Sequence, residues 1–388
     1  MTQHASERIA DRNFDTRPAV SAFQRLLDPA GVVIDGPRPW DPQILDSRAL
    51  SEVLRRGSLG AGEAFMRSWW DVERLDEFFF RIMRARLNKS KSLRSLDTLK
   101  LVAGAWLRNP QGRSRAFDVA NAHYNLDNNL FAAMLDKRLT YSCGYWAGTD
   151  NLDAAQEKKL DMICRKLRLQ SGQRVLDIGC GWGSFCKFAA ENYGVDVVGI
   201  TISKEQLQLA RELCLGLPIE LRLEDYRETT GTFDHIVSIG MFEHVGVRNY
   251  RSFFETASRC LKPDGLFLLH TIGGNFTATT TDPWINRYIF PNGQLPSVRQ
   301  LGEASEGLFV VEDIHNFGVH YDKTLMAWFE NFECAWPELK TRYDDTFFRM
   351  WKYYLLQSAG AFRARDVQLW QVVFSGRGAV SGYDRPPV

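Results

Sequence analysis

Val175-Leu176-Asp177-Ile178-Gly179-Cys180-Gly181-Trp182-Gly183 reads as an apolar strand that closes on an acid, then a glycine-rich turn, then the start of a helix. Glycine lets a backbone approach a ligand closely, and the helix N-terminus adds unpaired N–H donors. Three alternating glycines weaken a fold unless something must come near the main chain. A dinucleotide fingerprint would space them G-x-G-x-x-G, with an acid about 20 residues on for the ribose. Here the spacing is G-x-G-x-G with the acid in front, and Val198-Gly199-Ile200 offers no carboxylate. The spacing excludes an NAD-type oxidoreductase.

Outward from this turn, short strand-like runs alternate with helical ones. The strands are read at Arg174–Ile178, Val195–Thr201, Ile219–Leu223, Phe233–Ile239 and Leu266–Thr271. Helices fall at Ser184–Asn192, Ser203–Cys214 and Asn249–Leu261. Such alternation predicts an α/β fold with a parallel sheet and helices on both faces. Leu308–Ile314 and Val367–Ser375 are expected to complete a seven-stranded, mostly parallel sheet at one edge. Between them, His320–Trp336 and Asp345–Ala361 read as helices over the nucleotide-binding edge.

The D-x-G-x-G-x-G pattern resembles motif I of the class I S-adenosylmethionine methyltransferases. The resemblance implies that Asp177, Gly179, Gly181 and Gly183 face the amino-acid portion of that cofactor. After the second strand, where many such enzymes carry an acid for the ribose, this chain offers Thr201 and Gln206, both able to exchange hydrogen bonds with hydroxyls. After the third strand, Asp225 can accept from the adenine amino group and Tyr226 can pack on the ring.

The remainder of the 388-residue chain bounds the setting. Hydrophobic and charged fractions of 45% and 24% are those of a globular protein. No apolar run approaches the ~18 residues of a membrane span, and no secretory signal opens the chain, so a cytoplasmic location is expected. The seven cysteines lack C-x-x-C spacing and read as free thiols, with no metal site. A net charge of +1 gives no support for nucleic-acid binding. The charge is unevenly spread, however: residues 81–115 hold ten Lys or Arg against Asp97 alone, among apolar clusters such as Phe78-Phe79-Phe80. That mixture suits a membrane-surface segment, where each basic residue contributes about 1 kcal/mol at an anionic leaflet. Residues 1–120 are read as a small helical domain, built from the region around 22–31, from 61–87 and from 96–107. Residues 121–388 are read as the catalytic domain.

Several longer strings narrow the reading. GSLGAGEAFMRSWWD (57–71), LTYSCGYW (139–146), LDIGCGWG (176–183), SIGMFEHVG (238–246), DPWINRYIFPNGQLPS (282–297), HNFGVHYDKTLMAW (315–328) and GAFRARDVQLWQVVFS (360–375) resemble the cyclopropane-fatty-acyl-phospholipid synthases, relatives of the mycolic acid cyclopropane synthases. The resemblance implies transfer of a methylene from S-adenosylmethionine onto a cis double bond of a phospholipid acyl chain. An isolated alkene is a weak nucleophile, so catalysis must come from alignment, exclusion of water and stabilisation of a transient cation. The alternative outcome on the same olefin is a methyl branch or a hydroxylated product.

The family further implies bound bicarbonate as the base, held by Cys143, Glu243, His270, the backbone of Ile272 and the hydroxyl of Tyr321. Glu243 is expected to orient His270. Tyr141 and Ser142 match positions that contact the cofactor carboxylate. His123-Tyr124-Asn125 departs from the family's H-Y-D, and Ser358 stands where several relatives carry cysteine. Unsaturated phospholipid in the bilayer is the implied partner. Peripheral attachment to the inner face of the cytoplasmic membrane and a homodimer are implied as well.

Overall fold

The computed structural model describes residues 17–87, 128–380 and 382–387. The first of these segments carries α1 (Arg17–Leu27), β1 (Gln43–Ile44), α2 (Arg48–Arg56), α3 (Ser58–Met66), β2 (Trp70–Asp71) and α4 (Leu75–Arg84). The run 61–87, expected to be helical throughout, is therefore interrupted. Ser68 takes φ 58° and ends α3, after which Trp70 and Asp71 pair antiparallel with Ile44 and Gln43. The turn sends the Trp70 indole inward, with its ring centre 5.1 Å from that of Phe65 and 5.4 Å from that of Phe78. Burying one large aromatic there offsets the roughly 1–2 kcal/mol of a left-handed non-glycine residue. The helix expected over 96–107 and the triplet at 123–125 lie outside the described residues, as does most of the basic stretch.

Two helices, α5 (Asn128–Met134) and α6 (Leu152–Lys166), lead into the sheet. Its strands and intervening helices are β3 (Arg174–Ile178), α7 (Ser184–Tyr193), β4 (Asp196–Thr201), α8 (Lys204–Leu213), β5 (Ile219–Leu223), β6 (Phe233–Ile239), α9 (Tyr250–Cys260) and β7 (Leu261–Gly274). Then follow α10 (Pro283–Tyr288), α11 (Val298–Ser305), β8 (Val310–Asn316), α12 (Val319–Leu339), α13 (Asp345–Arg363) and β9 (Val367–Ser375). The seven-stranded order is β5-β4-β3-β6-β7-β9-β8, parallel as far as β7 and antiparallel where β9 meets β7 and β8. Strands buried on both faces read as continuous apolar runs, which is why most strand bounds were legible. β7 extends past Thr271, its expected end, because its ladder with β9 runs from Leu266 opposite Ser375 to Gly274 opposite Val367, and it begins early where Leu261 pairs with Phe233.

Alternation along β3 and β4 sends Leu176, Ile178, Val198 and Ile200 into one core, and Val175 and Val197 into the other. Strand order reverses at β3, which lies between β4 and β6. In open α/β sheets ligands bind beyond the strand C-termini at such a point. A third core joins α3 and α4 to α10, α12 and α13 through Phe65, Phe79, Trp284, Trp328 and Tyr353. It is pinned by Arg363, which donates to Asp322 on α12 (2.9 Å) and to Asp76 on α4 (2.8 Å). Burial works against charge on Asp76, but the hydrogen bonds from Arg74 and Arg363 outweigh it and hold the carboxyl at about 2. Among the described residues no helix is long and apolar enough to cross a membrane.

Candidate active site

The glycine turn leaves β3 at the point where strand order reverses. Gly179 has φ +88°, and a Cβ there would lie 2.6 Å from Cγ of Met241, on the turn after β6. Gly183 has φ +81° and caps α7, and a Cβ there would meet Cys214 Sγ at 2.9 Å. The first glycine thus brings two loops together at the strand ends, whereas the last lets α7 pack on α8.

A cavity of about 790 Å³ opens over this turn. Tyr141, Ser142, Asp177, Gly179, Gly181, Thr201, Gln206, Asp225 and Tyr226 all line it. Gly183 does not, consistent with its packing role. Asp177 is buried at the end of β3, with Oδ2 3.3 Å from Cys186 Sγ and Oδ1 without a partner. Burial pushes its carboxyl up to about 7, against the Cys186 hydrogen bond and the Lys159 charge. A buried orphan oxygen of this kind fits the ammonium of an amino-acid ligand. Thr201 Oγ1 donates to Gln206 Oε1 at 3.4 Å, so the two proposed ribose contacts form one polar pair. Asp225 already accepts from the Arg227 N–H and guanidinium (3.0 and 2.7 Å). Its remaining lone pairs are what an adenine amino group would use. The Tyr226 hydroxyl is buried and unpartnered.

Glu243, Ile272 and Tyr321 line the same cavity. Cys143 and His270, although fully buried, do not. Glu243 sits in the single helical turn Phe242–His244 after β6, anchored by the Phe242 ring stacked on Tyr250 at 4.3 Å. Its Oε1 accepts from the Ile272 N–H at 2.7 Å, while Oε2 is buried without a partner. This differs from the expected pairing of Glu243 with His270: it is Gln371 that holds His270, its Nε2 lying 3.2 Å from His270 Nδ1. Burial pushes the Glu243 carboxyl up to about 7, only partly countered by the Ile272 N–H. Burial also raises the Cys143 thiol, so this sulfur is a weak donor and not a thiolate. Thr324, one turn beyond Tyr321 on α12, donates to Cys143 Sγ at 3.9 Å and accepts from the Gly144 N–H at 3.0 Å. Burial raises the Tyr321 phenol, helped by Tyr354, Cys143 and Glu243, which places these groups within electrostatic reach of one another.

Sequence reasoning passed over Lys159. Its Nζ donates to Ser142 Oγ at 2.9 Å, and its side chain is buried beneath the cavity. Burial lowers it to about 8 despite Asp136, Cys143 and Asp177. Next to Lys158 on a helix it looks like a solvated residue, and nothing in the local pattern marks it. Tyr354, whose hydroxyl lies 2.9 Å from that of Tyr141, and Ser358 also line the cavity. Among the described residues no cluster of His, Cys, Asp or Glu is placed to hold a metal.

The family model described as mycolic acid cyclopropane synthetase matches residues 111–372. The chain belongs to this family. It is 54% identical over 357 residues to the cyclopropane-fatty-acyl-phospholipid synthase of Escherichia coli K12, covering 92% of this chain and 93% of that one. The solved cyclopropane synthase MmaA2 of Mycobacterium tuberculosis superposes with a TM-score of 0.63 at 32% identity, over 66% of this chain and 97% of that one. Mycolic acid cyclopropane synthase CmaA1, solved with SAH and CTAB, gives 0.62 at 34% identity, over 66% and 97%. The fold is thus that of the class I S-adenosylmethionine methyltransferases, and the chain is an S-adenosylmethionine-dependent enzyme of this family.

Proposed function

We propose that the protein transfers a methylene from S-adenosylmethionine to the cis double bond of unsaturated acyl chains in membrane phospholipids. The products are cyclopropane acyl chains and S-adenosylhomocysteine, with bound bicarbonate as the base. One observation carries the reading: a single cavity shares polar groups fit for the cofactor (Asp177, Thr201, Asp225) with a long apolar lining that includes Phe23, Leu27, Ile44, Phe79 and Ile82. A cofactor site alone would not need that greasy extension from the N-terminal helices. The E. coli relative's name and the buried, unpartnered Oε2 of Glu243 at the cavity support the same reading.

When bound, the cofactor supplies the carbon as an electrophilic sulfonium methyl. The chain's own groups do the rest. The Asp177 carboxylate and the glycine-turn backbone hold the amino-acid end, and the Lys159–Ser142 pair presents a polar edge beside it. The apolar lining excludes water that would trap a carbocation, and aromatic faces such as Tyr321 attract the cation. The new C–C bond takes the alkene π electrons as the methyl's C–S bond breaks, the electron pair of that bond staying on sulfur to give S-adenosylhomocysteine. A C–H bond of the transferred methyl then breaks, its electrons close the ring, and its proton passes to the anion. Glu243, near neutrality in its ionisation, tolerates that anion by sharing a proton with it.

The N-terminal helical region is proposed to dock on the inner face of the cytoplasmic membrane, within a homodimer in which one subunit's docking region anchors the other's turnover. Arg84 and Arg86 are exposed, and Phe276, 59% exposed, lines the cavity nearby. Arg81 is committed elsewhere, paired with Glu77 at 2.9 Å and stacked over Trp40. Neutralising Arg84, Arg86, Lys89 and Lys91 together is expected to weaken vesicle cosedimentation at low salt by about tenfold or more. Unchanged cosedimentation would remove the docking assignment.

The function itself is tested by S-adenosylhomocysteine release with unsaturated and with saturated phospholipid vesicles, in buffer with bicarbonate and in buffer stripped of carbon dioxide. Turnover is expected only on unsaturated lipid and is expected to fall on stripping. Equal turnover on saturated lipid would overturn the substrate, and indifference to bicarbonate would overturn the base.

A further inference from the structure

His270 on β7 stands directly opposite Gln371 on β9, within the interior of the sheet, and both side chains are fully buried. Gln371 Nε2 lies 3.2 Å from His270 Nδ1, and Gln371 Oε1 accepts from Lys166 Nζ at 2.8 Å. Lys166, in the last turn of α6, is itself buried, and its Nζ lies 3.0 Å from His315 Nδ1. Burial lowers Lys166 to about 7; while it is protonated its ammonium donates and cannot accept, so the amide oxygen of Gln371 faces Lys166. The amide nitrogen is then turned to His270, and an NH2 group also only donates. His270 Nδ1 is therefore the acceptor and carries no proton. Burial, aided by the charges on Lys159 and Lys166, keeps the ring neutral. A neutral imidazole without a proton on Nδ1 has it on Nε2, and that nitrogen is buried with no protein partner.

We propose that Lys166, while protonated, and Gln371 are positioning residues that fix His270 as its Nε2–H tautomer, making it a hydrogen-bond donor beside the site and not a proton acceptor. The consequence deepens the proposed function and rests on it only for what the N–H meets. A histidine locked as donor suits an anion and cannot itself remove the proton from the transferred methyl, so the base must be a separate group.

The test is nitrogen-15 NMR of the histidine rings in the intact enzyme, with His270 assigned by difference against His270→Asn. The wild type is expected to show a pyridine-like Nδ1 and a pyrrole-like Nε2. Gln371→Glu keeps the shape and the Lys166 contact but places an acceptor against Nδ1, so the pattern is expected to reverse. Turnover should then fall by roughly 10–100-fold, with S-adenosylhomocysteine affinity within about threefold. A wild-type Nδ1–H or imidazolium pattern, an unreversed pattern in Gln371→Glu, or a reversal without loss of turnover would each overturn the proposal. The tautomer is read without lipid or bicarbonate, so its failure is separable from failure of the cyclopropanation reading.

Discussion

Glu243→Gln is expected to lower turnover on unsaturated vesicles by about 10²–10³-fold, the scale of losing one preorganised polar group at the reacting centre. The amide can still accept from the Ile272 N–H, so the local fold survives. What changes is the second atom: Oε2, buried and unpartnered, becomes an NH2 that can neither share nor return a proton. The proposed cofactor contacts at Asp177, Thr201 and Tyr226 are on other elements. S-adenosylhomocysteine affinity by calorimetry should therefore stay within about threefold of wild type. Near-wild-type turnover would mean that the base pocket has been assigned to the wrong residues.

Gly179→Ala is expected to be nearly as damaging by a different route. At φ +88° an alanine is strained by roughly 1–2 kcal/mol, and its Cβ would lie 2.6 and 2.7 Å from Met241 Cγ and Cβ. Met241 begins the turn that carries Glu243, so relief of the overlap moves both the backbone proposed to cradle the cofactor and the proposed base pocket. Cofactor affinity should drop at least about tenfold, and turnover by about 10²-fold, since an ångström of misplacement near reacting groups has that cost. Wild-type affinity in this variant would show that the turn does not approach the ligand.

Much of this arrangement could be read from the residues. The central parallel strands β3 and β4, buried on both sides, leave largely apolar runs, and the glycine spacing separates one cofactor class from another. Most of the residues proposed for the cofactor side share one cavity because they follow strand ends, where topology alone brings them together. The partners that set the state of each group were not. Gln371 lies 101 positions from His270, and only the β7–β9 register makes them neighbours. Lys159 and Lys166 look like ordinary helix-surface cations until the tertiary fold buries them. The pairing of Glu243 with the Ile272 N–H, in place of His270, likewise depends on how a turn after one strand meets the backbone of the next. The break in the 61–87 helical run follows from Trp70 finding Phe65 and Tyr353, contacts that no local pattern encodes.

The central claim is that a methyl group is delivered to an unactivated alkene and then loses a proton as the ring closes. It is tested most directly by running the enzyme on unsaturated phospholipid vesicles with S-adenosylmethionine carrying a CD3 group, followed by mass spectrometry of the acyl chains. The account predicts a cyclopropane whose ring methylene is CD2, the missing deuterium having left with the base. A product that keeps the whole CD3 as a methyl branch, or one that has gained a hydroxyl, would contradict it.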